Sequence, residues 1–227
     1  VNFTRYAIYY APPSDADWAR FGAAWLGWDM EAGAEVAHPD IAGLDVSAIT
    51  EAPRRYGLHG TLKPPFRLAD GQSLNTLQEA CAALAATRCA AALERLEIGR
   101  LGRFLALLPR GNTDGLNALA AACVTELDKF RAPLGQSELD RRRAKGLPPT
   151  QEQNLMTWGY PYVLDQFRFH ITLTGRLEKS TLAKAMNLLQ ERLGPLLPEP
   201  FVIRDLALVG EDEEGRFHLI RRFTLGG

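Results

Sequence analysis

Two stretches of the chain alternate apolar and polar residues with a period of two, the spacing at which a strand sends successive side chains to opposite faces. In the later one Phe167, Phe169, Ile171 and Leu173 fall on one side, and Arg168, His170, Thr172 and Thr174 on the other. In the earlier one Tyr56, Leu58 and Leu62 oppose His59, Thr61 and Lys63. The pattern predicts strands over 167–174 and from 56 to the stop at Pro64-Pro65, each with His-x-Thr on its polar face.

Elsewhere the spacing is helical or the alternation carries no chemistry. A strand over 5–11 ends at Pro12-Pro13-Ser14, where Ser14 or Asp15 can cap a helix over 15–28. That helix has an aromatic stripe of Trp18, Phe21, Trp25 and Trp28, which reads as a core face. Residues 29–53 are weakly patterned and read as a long loop or short helical turns, with His38 as a surface or capping residue. Helices are expected over 73–89, 113–130 and 180–193. A further helical stretch over 137–158 is interrupted at Gly146-Leu147-Pro148-Pro149. Strand pairs are expected at 93–98 with 103–108 and at 201–209 with 216–224.

Aligning the two His-x-Thr strands exposes an internal repeat, over about 54–110 and 165–225. Each motif is followed by Arg-Leu (Arg67-Leu68, Arg176-Leu177), a Leu-rich helix, and a strand pair entered through Gly-Arg-Phe at Gly102-Arg103-Phe104 or Gly215-Arg216-Phe217. The expected architecture is α+β: a single duplicated, bilobal domain over 1–227, with two mostly antiparallel sheets and flanking helices. A pseudo-twofold axis would relate the halves around a central cleft, with 137–158 as a helical insert.

Composition narrows the partners. With 46% hydrophobic residues, a mean hydropathy of −0.15 and a formal net charge of −1, the chain reads as globular, without the overall field that recruits nucleic acid or an anionic membrane. A polyanionic substrate would need a local basic patch. No apolar run approaches the ~20 residues of a membrane helix, and the first residues lack the basic-then-apolar layout of a secretory leader. Cys81, Cys89 and Cys123 are odd in number and without CxxC spacing, which favours reduced thiols in a cytoplasmic protein.

If the two polar faces converge, they bring together two imidazoles and two hydroxyls. One imidazole can accept a proton while the other donates one, which suits in-line displacement at phosphorus. Thr61 and Thr172 can hold the nonbridging oxygens, with Lys63 and Arg168 neutralising developing charge. The scheme needs no metal or other cofactor, and no His/Asp/Glu cluster has metal-ligand spacing. Tyr56, Tyr160 and Tyr162 could stack on a base or sugar or simply pack. Arg141, Arg142, Arg143 and Lys145, flanked by Glu138 and Asp140, read as a solvated helix face or a lid over the cleft. His218 aligns with Leu105 in the other repeat and reads as strand surface.

His59-Gly60-Thr61-Leu62 and His170-Ile171-Thr172-Leu173 resemble the paired H-x-T motifs of the 2H phosphoesterase superfamily. With Trp158-Gly159-Tyr160-Pro161-Tyr162 they resemble its bacterial branch encoded beside phosphonate-utilisation genes. The likeness runs through nearly the whole chain. It implies a bilobal duplicated fold and cleavage or formation of phosphodiesters, often 2′,3′-cyclic or 2′,5′-linked. It further implies His59 and His170 as the acid/base pair, Thr61 and Thr172 as phosphate ligands, and a small phosphorylated substrate such as a nucleotide or phosphosugar. Gly60 departs from the apolar residue usual between His and Thr, which bears on core packing more than on chemistry. The alternatives are a cleft that binds a nucleotide or phosphosugar without turnover, and the same chemistry on RNA. The absence of an extended basic stripe argues against RNA. The oligomeric state is left open.

Overall fold

The computed structural model describes residues 2–144 and 146–226, so Lys145 lies outside the described residues. Its architecture is the expected α+β. In chain order the first elements are β1 (Arg5–Tyr10), α1 (Asp17–Leu26), the ribbon of β2 (Trp28–Asp29) and β3 (Ala34–Glu35), α2 (Val46–Arg54) and β4 (Gly60–Phe66). Then come α3 (Leu74–Ala86), β5 (Ala91–Leu93), β6 (Arg95–Leu101), β7 (Phe104–Arg110) and α4 (Asp114–Glu126). The chain continues through α5 (Gln136–Arg143), α6 (Pro149–Trp158), β8 (Ile171–Thr172), α7 (Lys179–Arg192), β9 (Phe201–Ile203), β10 (Asp205–Glu211) and β11 (Phe217–Thr224). Among the described residues no helix is long and apolar enough to cross a membrane.

The main sheet has seven strands in the order β11-β10-β1-β4-β8-β7-β6, and each pairing in it is antiparallel. The strands of the two His-x-Thr motifs, β4 and β8, lie at its centre. They join the two halves of the sheet through one registered pair, Gly60 with Ile171. The chain crosses over in reaching this order. The hairpin that follows the first motif, β6–β7, lies beside the second motif's strand, and the hairpin that follows the second, β10–β11, lies beyond β1 on the first motif's side.

Apolar residues on one face of the sheet bury against α1, α3, α4 and α7 in a single large core that includes Ile8, Tyr10, Trp25, Leu62, Leu77, Leu107, Ile171, Leu189 and Phe201. A smaller cluster of Ala7, Tyr9, Trp28, Met30, Val209 and Phe217 forms on the other face of the β1–β10–β11 half. Strand alternation in β1 divides its residues between the two: Tyr6, Ile8 and Tyr10 enter the large core, while Arg5, Ala7 and Tyr9 face the opposite way.

Three local expectations are corrected. Residues 46–54 form α2, capped by the Asp45 carboxylate accepting from the Ala48 amide at 3.0 Å. Pro53 hides this helix in sequence, but it sits in the last turn. Pro64-Pro65 do not stop β4, which runs on to Phe66, because register shifts against β1 leave that stretch free of a regular ladder needing their missing amides. Finally, 167–170 is extended but unpaired, and only Ile171–Thr172 joins the sheet. The aromatic stripe of α1 is core as expected, with Trp18 and Trp25 buried.

Candidate active site

The centre of the sheet sets the geometry. Continuing the antiparallel register of Gly60 and Ile171 by one residue each way places His59 opposite Thr172 and Thr61 opposite His170. Directly opposed residues share a face, so the two imidazoles and two hydroxyls lie on one side of the sheet, diagonal by type. Gly60 and Ile171 point the other way, into the core. Gly60 there meets a specific demand, since a Cβ on it would stand 2.3 Å from Cε2 and Cζ of Phe169. The residue before one motif histidine thus occupies the space of the side chain missing beside the other.

Each histidine is oriented by the same bond. Nδ1–H of His59 donates to the Gly57 carbonyl at 3.0 Å, and Nδ1–H of His170 donates to the Arg168 carbonyl at 2.8 Å. That bond fixes the neutral tautomer with the lone pair on Nε2. Among the described residues neither Nε2 has a protein partner, and neither do the Thr61 and Thr172 hydroxyls. The segment carrying His170 is held from three sides. The Leu173 amide donates to the Leu105 carbonyl at 2.9 Å, the Trp25 indole N–H donates to the Leu173 carbonyl at 2.8 Å, and the Thr174 hydroxyl accepts from the Leu105 amide at 3.0 Å.

The surroundings of the two rings differ. His59 stacks on Tyr9 with centroids 4.0 Å apart, and Tyr56 lies against it at 5.6 Å. Both tyrosines pack on Phe217. Burial in this aromatic slot pushes the His59 imidazole down to about 4, with His170 adding a smaller push in the same direction against the Gly57 hydrogen bond. His170 is half-buried, its ring 6.1 Å from that of Phe104.

A cavity of about 640 Å³ opens on this face, lined by His59, Thr61, Thr172, Thr174, Tyr9, Tyr56, Tyr160 and Phe104. Tyr160 is the expected site residue furthest from the motifs in sequence, and the Arg142 guanidinium lies 4.9 Å from its ring centre. His170 itself is not among the lining residues, although its neighbour Phe104 is.

Two expected ligands are elsewhere. Between Tyr9–Thr61 and Ile8–Lys63 the pairing advances one residue on β1 and two on β4, so a bulge at Leu62 turns Lys63 to the core side with Ile8. Its ammonium is buried, donating to the Val124 carbonyl at 2.9 Å and standing 3.5 Å from Asp128. Desolvation lowers it to about 8, with Asp128 opposing. Arg168 lies in the unpaired run before β8 and is exposed. Its guanidinium turns back to the carbonyls of Asp165 and Phe167, at 3.3 and 2.6 Å.

Among the described residues the cations that do line the cavity are five arginines, Arg5, Arg55, Arg141, Arg142 and Arg176, and no aspartate or glutamate lines it with them. They come from β1, the segment after α2, α5 and the turn after β8. The α5 arginines therefore split: Arg141 and Arg142 face the cleft, whereas Arg143 pairs with Glu152. The signal for Arg5 was present in the alternation of β1 with Tyr9. For Arg141 and Arg142 the signal was the basic cluster read as a solvated face or a lid over the cleft, and for Arg55 and Arg176 the sequence holds no local signal.

Two residues read as peripheral have defined partners: His38 Nδ1 donates to the Trp25 carbonyl, and His218 pairs with Asp212 at 2.7 Å. Among the described residues no group of three or more His, Cys, Asp or Glu side chains is placed to hold a metal ion.

Residues 61–218, spanning both motifs except His59 and Gly60, match the family model described as protein of unknown function DUF1045. The chain belongs to the DUF1045 family. This DUF1045 chain is 41% identical over 179 residues to a protein named ribose 1,5-bisphosphate phosphokinase PhnN from Janthinobacterium sp. (strain Marseille), covering 78% of this chain and 40% of that one. It is 33% identical over 218 residues to the protein of the same name from Laribacter hongkongensis (strain HLHK9), covering 96% and 51%. It thus spans about half the length of the curated relatives it matches. Among solved structures it is similar to E. coli LigT complexed with 3′-AMP, at 17% identity and a TM-score of 0.45 over 100% of both chains. It is also similar to the protein TT0787 of Thermus thermophilus, at 16% identity and a TM-score of 0.47 over 98% of both.

Proposed function

We propose that this DUF1045 chain is a metal-independent phosphoesterase of the 2H type, opening a small cyclic phosphate or cleaving a small phosphodiester. The observation that carries the reading is the central Gly60–Ile171 pair, which brings the two His-x-Thr motifs side by side, with both Nε2 atoms unengaged among the described residues. In the forward direction His59, neutral because of its depressed basicity, accepts a proton from the attacking water through Nε2. The water oxygen forms a bond to phosphorus as the opposite P–O bond breaks. Protonated His170 delivers its Nε2 proton to the departing oxygen. The Thr61 and Thr172 hydroxyls donate to the nonbridging oxygens, and cleft arginines take the neutralising role first given to Lys63 and Arg168.

The relatives' name, ribose 1,5-bisphosphate phosphokinase, supports a phosphosugar over RNA as substrate. The phosphokinase step in those names is not assigned to this chain. The sequence contains no Gly-Lys dipeptide and so no GxxxxGK[ST] phosphate loop.

The test is turnover of a panel of 2′,3′-cyclic nucleotides and cyclic-phosphate sugars in EDTA, by the wild type and by His59→Ala and His170→Ala. Each replacement is expected to cost roughly 10²–10⁴-fold in rate. Turnover that chelator abolishes, or full activity in His170→Ala, refutes the mechanism. Saturable ligand-dependent stabilisation without product across the panel would instead support a binding module.

A further inference from the structure

The arginines of the cleft exceed what one reacting phosphodiester requires. That group carries a single negative charge, yet five guanidinium groups line the cavity without a carboxylate among the lining residues. They are not equivalent. Arg5 is held by a two-pronged pair with Glu211, and Arg142 by Glu138 at 2.7 Å and the Tyr160 ring. Arg55, among the described residues, has no carboxylate partner at all. Its guanidinium carbon lies over the Tyr56 ring, 4.5 Å from the centroid, and it donates to the Tyr56 hydroxyl. Arg141 is exposed and its carboxylate contact is a long one, 3.8 Å to the Glu138 oxygen that Arg142 already engages.

Arg55 and Arg141 also share a location. Both line the cavity that holds His59 and, with Arg5, a second one of about 430 Å³; the carboxylates Glu138, Glu211, Asp212 and Glu213 line that second cavity, so an anion would be held on the His59 side of the junction. Tyr56 links this place to the reacting centre. Arg55 is 4.5 Å from the Tyr56 centroid, which is 5.6 Å from that of His59, so at most about 10 Å separates guanidinium and imidazole. A pentose bearing one phosphate on its ring and another on its hydroxymethyl carbon spans such a gap.

We propose that Arg55 and Arg141 form a second anion subsite for a terminal phosphomonoester of the substrate. The substrate class is then a pentose or nucleoside that carries a cyclic phosphate or phosphodiester at one end and a phosphomonoester at the other. The inference rests on the phosphoesterase reading of the same cleft. A dianionic phosphomonoester is what a pair of planar guanidinium groups recognises best, through paired charge-assisted hydrogen bonds. Tyr56 beneath Arg55 fixes that fork in place before the ligand arrives.

The test compares a ribose cyclic phosphate with its 5-phosphorylated counterpart, in the wild type and in an Arg55→Gln/Arg141→Gln variant. The wild type is expected to prefer the 5-phosphorylated ester by 10-fold or more in kcat/KM, mainly through KM, and the variant to lose most of that preference. Turnover of both esters with no preference, or a preference that survives in the variant, overturns the subsite and leaves the phosphoesterase reading standing. A separate binding measurement covers failure of that reading. Ribose 5-phosphate, which has no ester for the enzyme to cleave at the reacting centre, is expected to raise the wild-type Tm and not that of the variant. Equal shifts in the two proteins, or none in the wild type, overturn the subsite whether or not any ester is hydrolysed.

Discussion

Replacing Gly60 by alanine is expected to damage stability and catalysis together, through one contact. The new methyl carbon would meet Cε2 and Cζ of Phe169 at 2.3 Å, far inside van der Waals contact. The ring has little room to retreat, being 5% exposed and packed near Tyr10 and Phe201. Gly60 is not among the glycines with positive φ, so alanine is tolerated by the backbone and the conflict is steric alone. Overpacking of this kind costs ~1–3 kcal/mol, against a gain of ~0.5–1 kcal/mol from the reduced freedom of the unfolded chain. A net cost of ~1–2 kcal/mol lowers the Tm of a domain this size by ~2–8 °C. The two clashing residues each adjoin a motif histidine, so any relief shifts His59 relative to Thr172, and a displacement of ~1 Å can cost ~10²-fold in rate. Urea unfolding and kcat would be read for Gly60→Ala, Phe169→Leu and the double variant. The double variant is expected to be more stable than additivity predicts by at least ~0.5 kcal/mol and to recover part of kcat. An unchanged Tm in Gly60→Ala, or strict additivity, would refute the contact as the reason for the glycine.

Two further outcomes follow from groups displaced from their ordinary basicity. With His59 depressed to about 4, the acid limb of kcat/KM is expected near pH 4, since the base is lost only as pH falls through that value. An acid limb near the ordinary histidine value of ~6.5 would contradict the role given to His59. Buried Lys63 titrates at about 8 when folded, so the unfolded chain holds more protons between pH 8 and ~10.5 and the native state gains stability as pH rises through that window. The wild type minus Lys63→Met difference in unfolding free energy should therefore rise by up to ~3 kcal/mol from pH 7 to 10.5. A flat difference would sink this assignment, and a loss of turnover comparable to that of His59→Ala would return Lys63 to the site.

What could be read from the sequence was whatever depends on neighbours along the chain. The alternation around His59 and His170 was visible because successive residues of an extended segment must point opposite ways, and the helices and hairpins showed for similar reasons. Lys63 was misplaced because alternation holds only while the ladder is regular, and the extra residue at Leu62 is set by pairing with β1. Arg168 was misplaced because its side chain folds back onto the carbonyls of Asp165 and Phe167, which no spacing along the chain reveals. The convergence of the cleft arginines was not legible because Arg55, Arg141 and Arg176 belong to three separate segments that meet only in the fold, although the sequence had offered Arg141 and Arg142 as part of a lid. Gly60 looked like a defect in its own strand, and becomes intelligible only beside the ring of Phe169.

The crossover of the hairpins also governs when a growing chain can become competent. β1 is synthesised well before β10, yet the two are neighbours in the sheet, and the pair closes with Arg5 opposite Glu211. Phe217, which backs both tyrosines around His59, is made later still. At ~5–20 residues per second the ribosome needs ~10–40 s to travel from β1 to β10. Once His59 has been made its ring can meet Tyr9 and Tyr56, but until Phe217 follows neither tyrosine has that backing. A fragment of this chain broken between β8 and β10 would therefore keep both motif histidines and lack the Phe217 ring that backs Tyr9 and Tyr56.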